Sequence, residues 1–161
     1  MNLFLKWQDF LLKKAIVKDK NNEFKYRVER KNFLSMRLKV YDNKNNLLFY
    51  KDSRGFKSYI FDADYKVVAK IRYKFSLLGI SFKIDLLDWI FKGDPYNRNF
   101  HVMDSNGNSI AYIKNKFMSA NYVIDVLDEK NEPIVIALSL ILLNLRSNSV
   151  SFFGVSFKWN L

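Results

Sequence analysis

The sequence predicts a mainly β domain, built from repeated hairpins and closed around one apolar helix near the C-terminus. Three observations support this fold class: apolar and polar residues alternate with period two, an Asp-led strand-turn-strand unit recurs, and the segment 133–145 is apolar on nearly every side. Successive side chains of a strand point to opposite faces of a sheet. A helix that is apolar all round has to be buried. We therefore expect strands that wrap around a helical core.

The period-two alternation gives each predicted strand an inner and an outer face. The clearest case is the strand from residue 66 to 75, whose inner face is apolar and whose outer face is mostly basic. The predicted inner set is Val67, Ala69, Ile71, Tyr73 and Phe75, with Phe24, Tyr26 and Val28, and Ile80, Phe82, Ile84 and Leu86, in two further strands.

The repeat is clearest between residues 62–75 and 104–117, where Asp, Ala, Ile, Lys and Phe recur in register at an offset of 42 residues. Looser copies begin at Asp19, Asp42 and Asp128. A basic period of roughly 21 residues fits all of these positions if the largest interval holds two units. Each unit is then one hairpin.

The polar segments 42–46 and 104–108 suit hairpin turns, because Asp and Asn bond to their own backbone and tolerate left-handed conformations. A calcium loop beginning at Asp104 is the alternative. It would need Gly at its sixth position and Glu at its twelfth, where the chain has Ser109 and Asn115. Turn chemistry is the preferred interpretation.

The apolar segment predicts a helix from Pro133 to about Arg146, with Pro133 in the first turn and Glu132 at the positive end of the helix dipole. Such a helix is about 20 Å long, against the roughly 30 Å of a bilayer's hydrocarbon core. We predict no transmembrane span. Beyond it, residues 153–159 alternate as one last strand or a docked tail.

The net charge of +11, from 27 Lys and Arg against 16 Asp and Glu, has two open explanations. It fits an anionic partner such as a membrane surface or a nucleic acid. It also fits compositional bias, since the chain is rich in both Lys and Asn.

The chain has no cysteine, which excludes thiol catalysis, zinc-cysteine sites and disulfides. We expect a cytoplasmic protein.

The hairpin unit that ends in Ile113-Lys-Asn-Lys-Phe117, followed by an Asp-containing strand and an Ile/Leu/Ala helix, resembles the bacterial branch of the LURP-one-related family. Its relatives include the tubby C-terminal domain and the phospholipid scramblases. The resemblance implies a closed, roughly 12-stranded antiparallel barrel threaded by a hydrophobic helix. It implies one domain over residues 1–161, with a core of about 12–146 and a C-terminal extension over 147–161.

Enzyme chemistry is poorly supported by the sequence. The single histidine, His101, has no partner in its neighbourhood and is interpreted as an ordinary strand residue. Asp85, Asp88 and Asp94 suggest a carboxylate pair or a metal site, but their positions are typical of a polar strand face or a turn. We predict no catalytic, cofactor or metal residues.

The predicted binding residues are Arg72 with Lys74, and Lys114 with Lys116, each pair two apart on an outer strand face. The leading hypothesis is a non-enzymatic barrel that binds acidic phospholipid headgroups from the cytoplasm, peripheral to the membrane. Four cations at about 1 kcal/mol each give only millimolar affinity, so more cations, a headgroup pocket or inserted aromatics are required. Nucleic acid ranks lower because the aromatics are predicted to face inward. The alternative is a scaffold for an unknown protein partner, with incidental charge.

Overall fold

The structure is a computed structural model that describes residues 2–8, 13–31, 37–54, 57–76, 79–94, 99–115 and 121–140. Within these ranges the side chains of residues 53–54, 73–76, 79–80, 94 and 115 are not described. The predicted tail over 147–161, the end of the predicted helix and Lys116 lie outside the described residues.

Twelve strands form one closed antiparallel barrel, as predicted. Each strand pairs with the next along the chain, and β1 closes the ring against β12 with Leu3 opposite Ile124. The strands are β1 Asn2–Trp7, β2 Lys14–Asp19, β3 Phe24–Arg30, β4 Leu38–Asp42, β5 Leu47–Arg54, β6 Lys57–Asp62, β7 Val67–Ser76, β8 Gly79–Asp85, β9 Trp89–Asp94, β10 Asn99–Asp104, β11 Ser109–Asn115 and β12 Tyr122–Val126.

Four of the hairpins share one turn, which explains the repeated Asp. In each, the Asp Oδ1 accepts the backbone N–H groups two and four residues ahead, and the residue three ahead has a positive φ. Asn and Gly tolerate that conformation best, although Tyr65 also adopts it with φ 62°. The turns begin at Asp19, Asp42, Asp62 and Asp104, with Asn22, Asn45, Tyr65 and Gly107 in the left-handed position.

The long interval between Asp62 and Asp104 does hold two units. The hidden one is the β8–β9 turn after Asp85, where Leu86 and Asp88 have φ of 75° and 54°. Asp128 opens a different element, because its carboxylate accepts the N–H of Lys130 and caps a 3₁₀ turn.

The 3₁₀ turn Glu129–Asn131 leads into helix α1, residues 132–140, which runs through the barrel interior. Val135, Ile136, Ala137 and Leu140 have no exposed surface, and Leu138 has 1%. The hydroxyl of Ser139 donates to the Ile136 carbonyl at 2.7 Å, which satisfies it in this apolar setting. The predicted apolar core helix is confirmed as far as residue 140.

The alternation assigns the strand interiors correctly: Val28, Ala69, Ile71, Phe82 and Ile84 are all buried. It is wrong at three strand ends, where Phe24, Val67 and Leu86 are 39%, 41% and 69% exposed. Val67 follows a register shift between Ile60 and Phe61, and Leu86 lies in the positive-φ turn. Bulges and turns interrupt the period of two that the prediction assumed.

The antiparallel order gives the barrel two distinct ends. The end that carries the Asp turns and the start of α1 is called the turn end, and the opposite end, where β1 joins β2 and β3 joins β4, is called the loop end. Odd-numbered strands run from the turn end to the loop end.

Candidate functional site

Arg72 lies on the outer face of β7, as predicted, but its guanidinium is already engaged. Its Nε and Nη2 bind the two carboxylate oxygens of Asp85 at 2.7 and 2.8 Å. The bond from Arg72 holds the pKa of the Asp85 carboxyl below its ordinary value, and the charges of Lys83 and Lys70 act in the same direction. Asp85 is therefore an anion surrounded by three cations.

Lys83 extends the cationic face to β8, because it lies directly opposite Arg72 in the ladder and is exposed. Like charges opposite each other on neighbouring strands are unfavourable. Asp85 offsets part of that repulsion. The juxtaposition of Arg72 and Lys83 does not stabilise the fold, so these two cations are candidates for binding an anionic ligand.

Lys92 continues this face on β9, where it pairs with Ser81 on one side and His101 on the other. The His101 ring stacks on Tyr112 with centroids 4.5 Å apart, and its Nε2 is 2.9 Å from the Ser109 hydroxyl. Partial burial lowers the pKa of His101, and the charge of Lys92 lowers it further. His101 is therefore held in the strand by Tyr112 and Ser109, two partners that were not identified from the sequence.

The structure separates the two predicted basic pairs, because β8, β9 and β10 lie between β7 and β11. Lys114 is exposed near the loop end of β11, opposite Asn99. Lys74 pairs with Ser81 through the backbone of β7, but its side chain is among those not described. Lys83 and Lys92 occupy the outer face between Arg72 and Lys114.

We call this face the β7–β11 arc, defined by Arg72, Lys83, Lys92 and Lys114. Lys83 and Lys92 are not among the site residues predicted from the sequence. The signal was present, since Lys83 alternates with Phe82 and Ile84, and Lys92 alternates with Phe91. The two clearest copies of the repeat lie on β7 and β11, whereas β8 and β9 carry the same alternation without the repeat.

The prediction that the aromatics face inward is wrong for the wall formed by β4, β5 and β6. Tyr50 packs on Phe61 with centroids 5.5 Å apart and on Tyr65 at 6.3 Å, all on the outer side. Arg27 lies 4.7 Å above the Tyr41 ring. These aromatics pair across outward ladder positions, such as Tyr50 opposite Phe61, while Lys51 and Ile60 face inward.

A shallow groove of about 390 Å³ follows this wall. Three tyrosines and three exposed cations line it together with Glu29, Arg30 and Leu47; the three tyrosines are Tyr41, Tyr50 and Tyr65, and the cations are Lys31, Arg37 and Lys39. The combination of rings and positive charge fits an anion that has a flat or apolar part.

Near the loop end the barrel interior holds a buried lysine, Lys51, which is 2% exposed. Burial lowers the pKa of its amine to about 7, and the neighbouring Arg30 charge adds to the shift, against the opposing charge of Asp52. The Arg30 guanidinium lies 5.7 Å from the Trp7 ring centroid. Two buried cationic side chains, Lys51 and Arg30, are therefore close neighbours, and the carboxylate of Asp52 is ion-paired with Arg37.

Metal and acid-base chemistry find little support in the described part of the chain. No group of three His, Asp or Glu side chains there could hold a metal ion. Asp85 is committed to Arg72, and Asp104 uses both carboxylate oxygens within its own turn. In the described part of the chain, no helix has the length and apolar character needed to cross a membrane.

Comparison with known proteins supports the fold. The sequence profile of a family described as LURP-one-related matches residues 1–143, which span all twelve strands and the described part of α1. An X-ray structure of a protein from Arabidopsis thaliana superposes with a TM-score of 0.62 at 14% identity, covering 91% of this chain and 90% of that one. No curated protein matches the chain. At this identity the structural likeness concerns the fold alone.

Proposed function

Because the chain belongs to the LURP-one-related family, we propose that it is a non-enzymatic barrel that binds acidic phospholipid headgroups at the cytoplasmic surface of a membrane. The observation that carries this proposal is the β7–β11 arc. Its cations lie on one outer face of the barrel. Among the described side chains of that face, Asp85 provides the opposing negative charge.

The arc supplies additional cations, which the two predicted pairs needed for binding tighter than millimolar. Lys83 and Lys92 add two cations to the four predicted from the sequence, and each cation near an anionic surface contributes about 1 kcal/mol. Six cations less the charge of Asp85 leave five, which correspond to a dissociation constant of roughly a few tenths of a millimolar, against about millimolar for four. The structural elements beneath the arc are paired strands, so binding requires no rearrangement of the barrel.

Sedimentation with vesicles tests the proposal. Phosphatidylcholine vesicles should leave the protein in the supernatant, and vesicles that also contain phosphatidylserine should carry it into the pellet at low salt. Binding should weaken as salt screens the charges. Protein that stays in the supernatant with acidic vesicles at low salt would remove the proposal, and the scaffold alternative would then be preferred.

Single-stranded nucleic acid is a second candidate, favoured by the outward tyrosines of the groove. Bases stack on aromatic side chains, and nearby cations contact the phosphates. Tyr50 and Tyr41 are half-buried, while Tyr65 is 70% exposed, so one ring offers most of its face. If the groove binds bases, the Tyr65→Ala variant should bind a labelled oligonucleotide more weakly than the wild type, as measured by fluorescence anisotropy. An oligonucleotide that does not bind the wild type at low salt would exclude this candidate.

A further inference from the structure

Charge is distributed very unevenly between the two ends of the barrel. The turn-end segments 19–23, 42–46, 62–66, 85–88, 104–108 and 127–132 hold eleven acidic residues against four basic ones. The acidic residues are Asp19, Glu23, Asp42, Asp62, Asp64, Asp85, Asp88, Asp104, Asp128, Glu129 and Glu132, and the basic ones are Lys20, Lys44, Lys66 and Lys130. The turn end remains negative when Lys18 and Lys25, which lie within one residue of a strand end there, are added to the four basic residues, although the net charge of the chain is +11.

The loop end has the opposite sign. Among the described side chains, eight exposed cations lie within one residue of a strand end there: Lys6, Lys13, Lys14, Lys31, Arg37, Lys39, Lys57 and Lys114. We call this set the basic rim. Two described carboxylates lie beside it: Glu29, opposite Lys14 and Lys39 in the ladders, and Asp52, which is 7% exposed and ion-paired with Arg37 at 3.5 Å.

The acids of the turn end have a structural explanation in the turn geometry, and among the rim cations Arg37 has one in its ion pair with Asp52. The turn geometry uses the Asp carboxylates as acceptors for backbone N–H groups, so their position follows from the fold. The exposed lysines of the basic rim face solvent, and exposed charges contribute little to stability. An asymmetry of this size gives the barrel a dipole along its axis.

We propose that the basic rim is the face with which the barrel contacts an anionic bilayer, so that the barrel axis stands upright and the turn end faces away. This inference rests on the proposed function. It adds an orientation to it, and it assigns binding to lysines outside the β7–β11 arc. Lys114 belongs to both surfaces, which places the two on adjoining parts of the molecule. The acidic turn end would be repelled by the same surface, so attraction and repulsion favour a single orientation.

Two charge-matched variants separate the rim from net charge. The rim variant carries Lys6→Gln, Lys31→Gln, Lys39→Gln and Lys57→Gln, and the control carries Lys20→Gln, Lys44→Gln, Lys66→Gln and Lys130→Gln, all at exposed positions. Both lose four positive charges. With vesicles of phosphatidylcholine and phosphatidylserine, the rim variant should bind roughly a thousandfold more weakly than the wild type, and the control should stay within about threefold of it. Equal losses in the two folded variants would overturn the rim.

A fluorescence experiment reads the orientation directly. The chain has no cysteine, so Gln8→Cys at the loop end and Asn43→Cys at the turn end each give one labelling position on an exposed, uncharged residue. On acidic vesicles with nitroxide-labelled headgroups, the label at residue 8 should be quenched and the label at residue 43 should not. Bound protein with the opposite pattern, or equal quenching at both, would refute the orientation and leave lipid binding intact. Wild-type protein that does not bind these vesicles would refute the proposed function itself.

Discussion

The hydroxyl of Tyr26, on the inner face of β3, donates a hydrogen bond to the Glu132 carboxylate at 2.9 Å and so ties the barrel wall to the start of the central helix. Glu132 is 2% exposed, and its other oxygen, Oε1, has no hydrogen-bond partner within the described residues. Burial raises the pKa of Tyr26 far above its ordinary value, and the bond to Glu132 raises it further, so the hydroxyl keeps its proton.

The Tyr26→Phe variant should lower the free energy of unfolding by about 1.5 to 3 kcal/mol, because a buried carboxylate loses its described donor. Urea denaturation measures this change. Tyr59→Phe, on the outer face of β6, is the matched control and should change stability by less than about 0.5 kcal/mol. Equal effects of the two variants would mean that Glu132 does not depend on Tyr26.

The Leu140→Asp variant should fail to fold, because Leu140 has no exposed surface in the core of the barrel. An unpaired charge there costs several kcal/mol, against a total stability of about 5 to 15 kcal/mol. Leu127→Asp, at a residue that is 56% exposed, introduces the same charge and should remain folded. Circular dichroism and thermal melting compare the two. A soluble Leu140→Asp variant with an unchanged melting temperature would show that the helix is not the core.

Lys51 makes stability depend on pH in a defined direction. Its pKa is 10.5 ordinarily and about 7 in the fold, so between these values the unfolded chain binds more protons than the folded one. Stability from this group therefore rises with pH over that window and is lowest below pH 7, by on the order of 1 kcal/mol per pH unit.

The Lys51→Met variant should remove this dependence. Its melting temperature should exceed that of the wild type at pH 6, and the difference should shrink towards pH 9. Arg30 and Asp52 are the charged neighbours retained in both proteins, so the comparison isolates Lys51. A difference that is constant from pH 6 to pH 9 would show that the amine does not titrate in this range.

Asp85 lowers the net positive charge of the β7–β11 arc by neutralising Arg72. The Asp85→Asn variant should therefore bind acidic vesicles more tightly, by roughly fivefold for one unit of charge. Asp64→Asn makes the same charge change at an exposed position of the turn end and should have a smaller effect. Stability should change little, because the ion pair is on the surface. Unchanged binding by a folded Asp85→Asn variant would argue against the arc.

Much of the barrel follows from local rules in the sequence. Alternation places Ala69 and Ile71 inside and Arg72 outside, and the repeated Asp marks four of the turns. The pattern fails where the period of two is interrupted, as at Val67 and Leu86. It also cannot reveal that Lys51 faces inward, because the inward position follows from its register beside Ile60 rather than from its own chemistry.

Less of the candidate site could be predicted from the sequence. Arg72 and Lys114 were identified as outward cations, but their separation by three strands depends on the order of the barrel. The ion pair between Arg72 and Asp85 joins residues 13 apart across a hairpin. The charge difference between the two ends appears only once every strand direction is known.

The most direct test of the lipid hypothesis changes the four residues predicted from the sequence, Arg72, Lys74, Lys114 and Lys116, to Gln together. At about 1 kcal/mol for each cation, binding to phosphatidylserine-containing vesicles should fall by roughly a thousandfold at low salt. The melting temperature should stay nearly unchanged, because exposed charges contribute little to folding. A folded variant that still binds acidic vesicles with the affinity of the wild type would contradict the account.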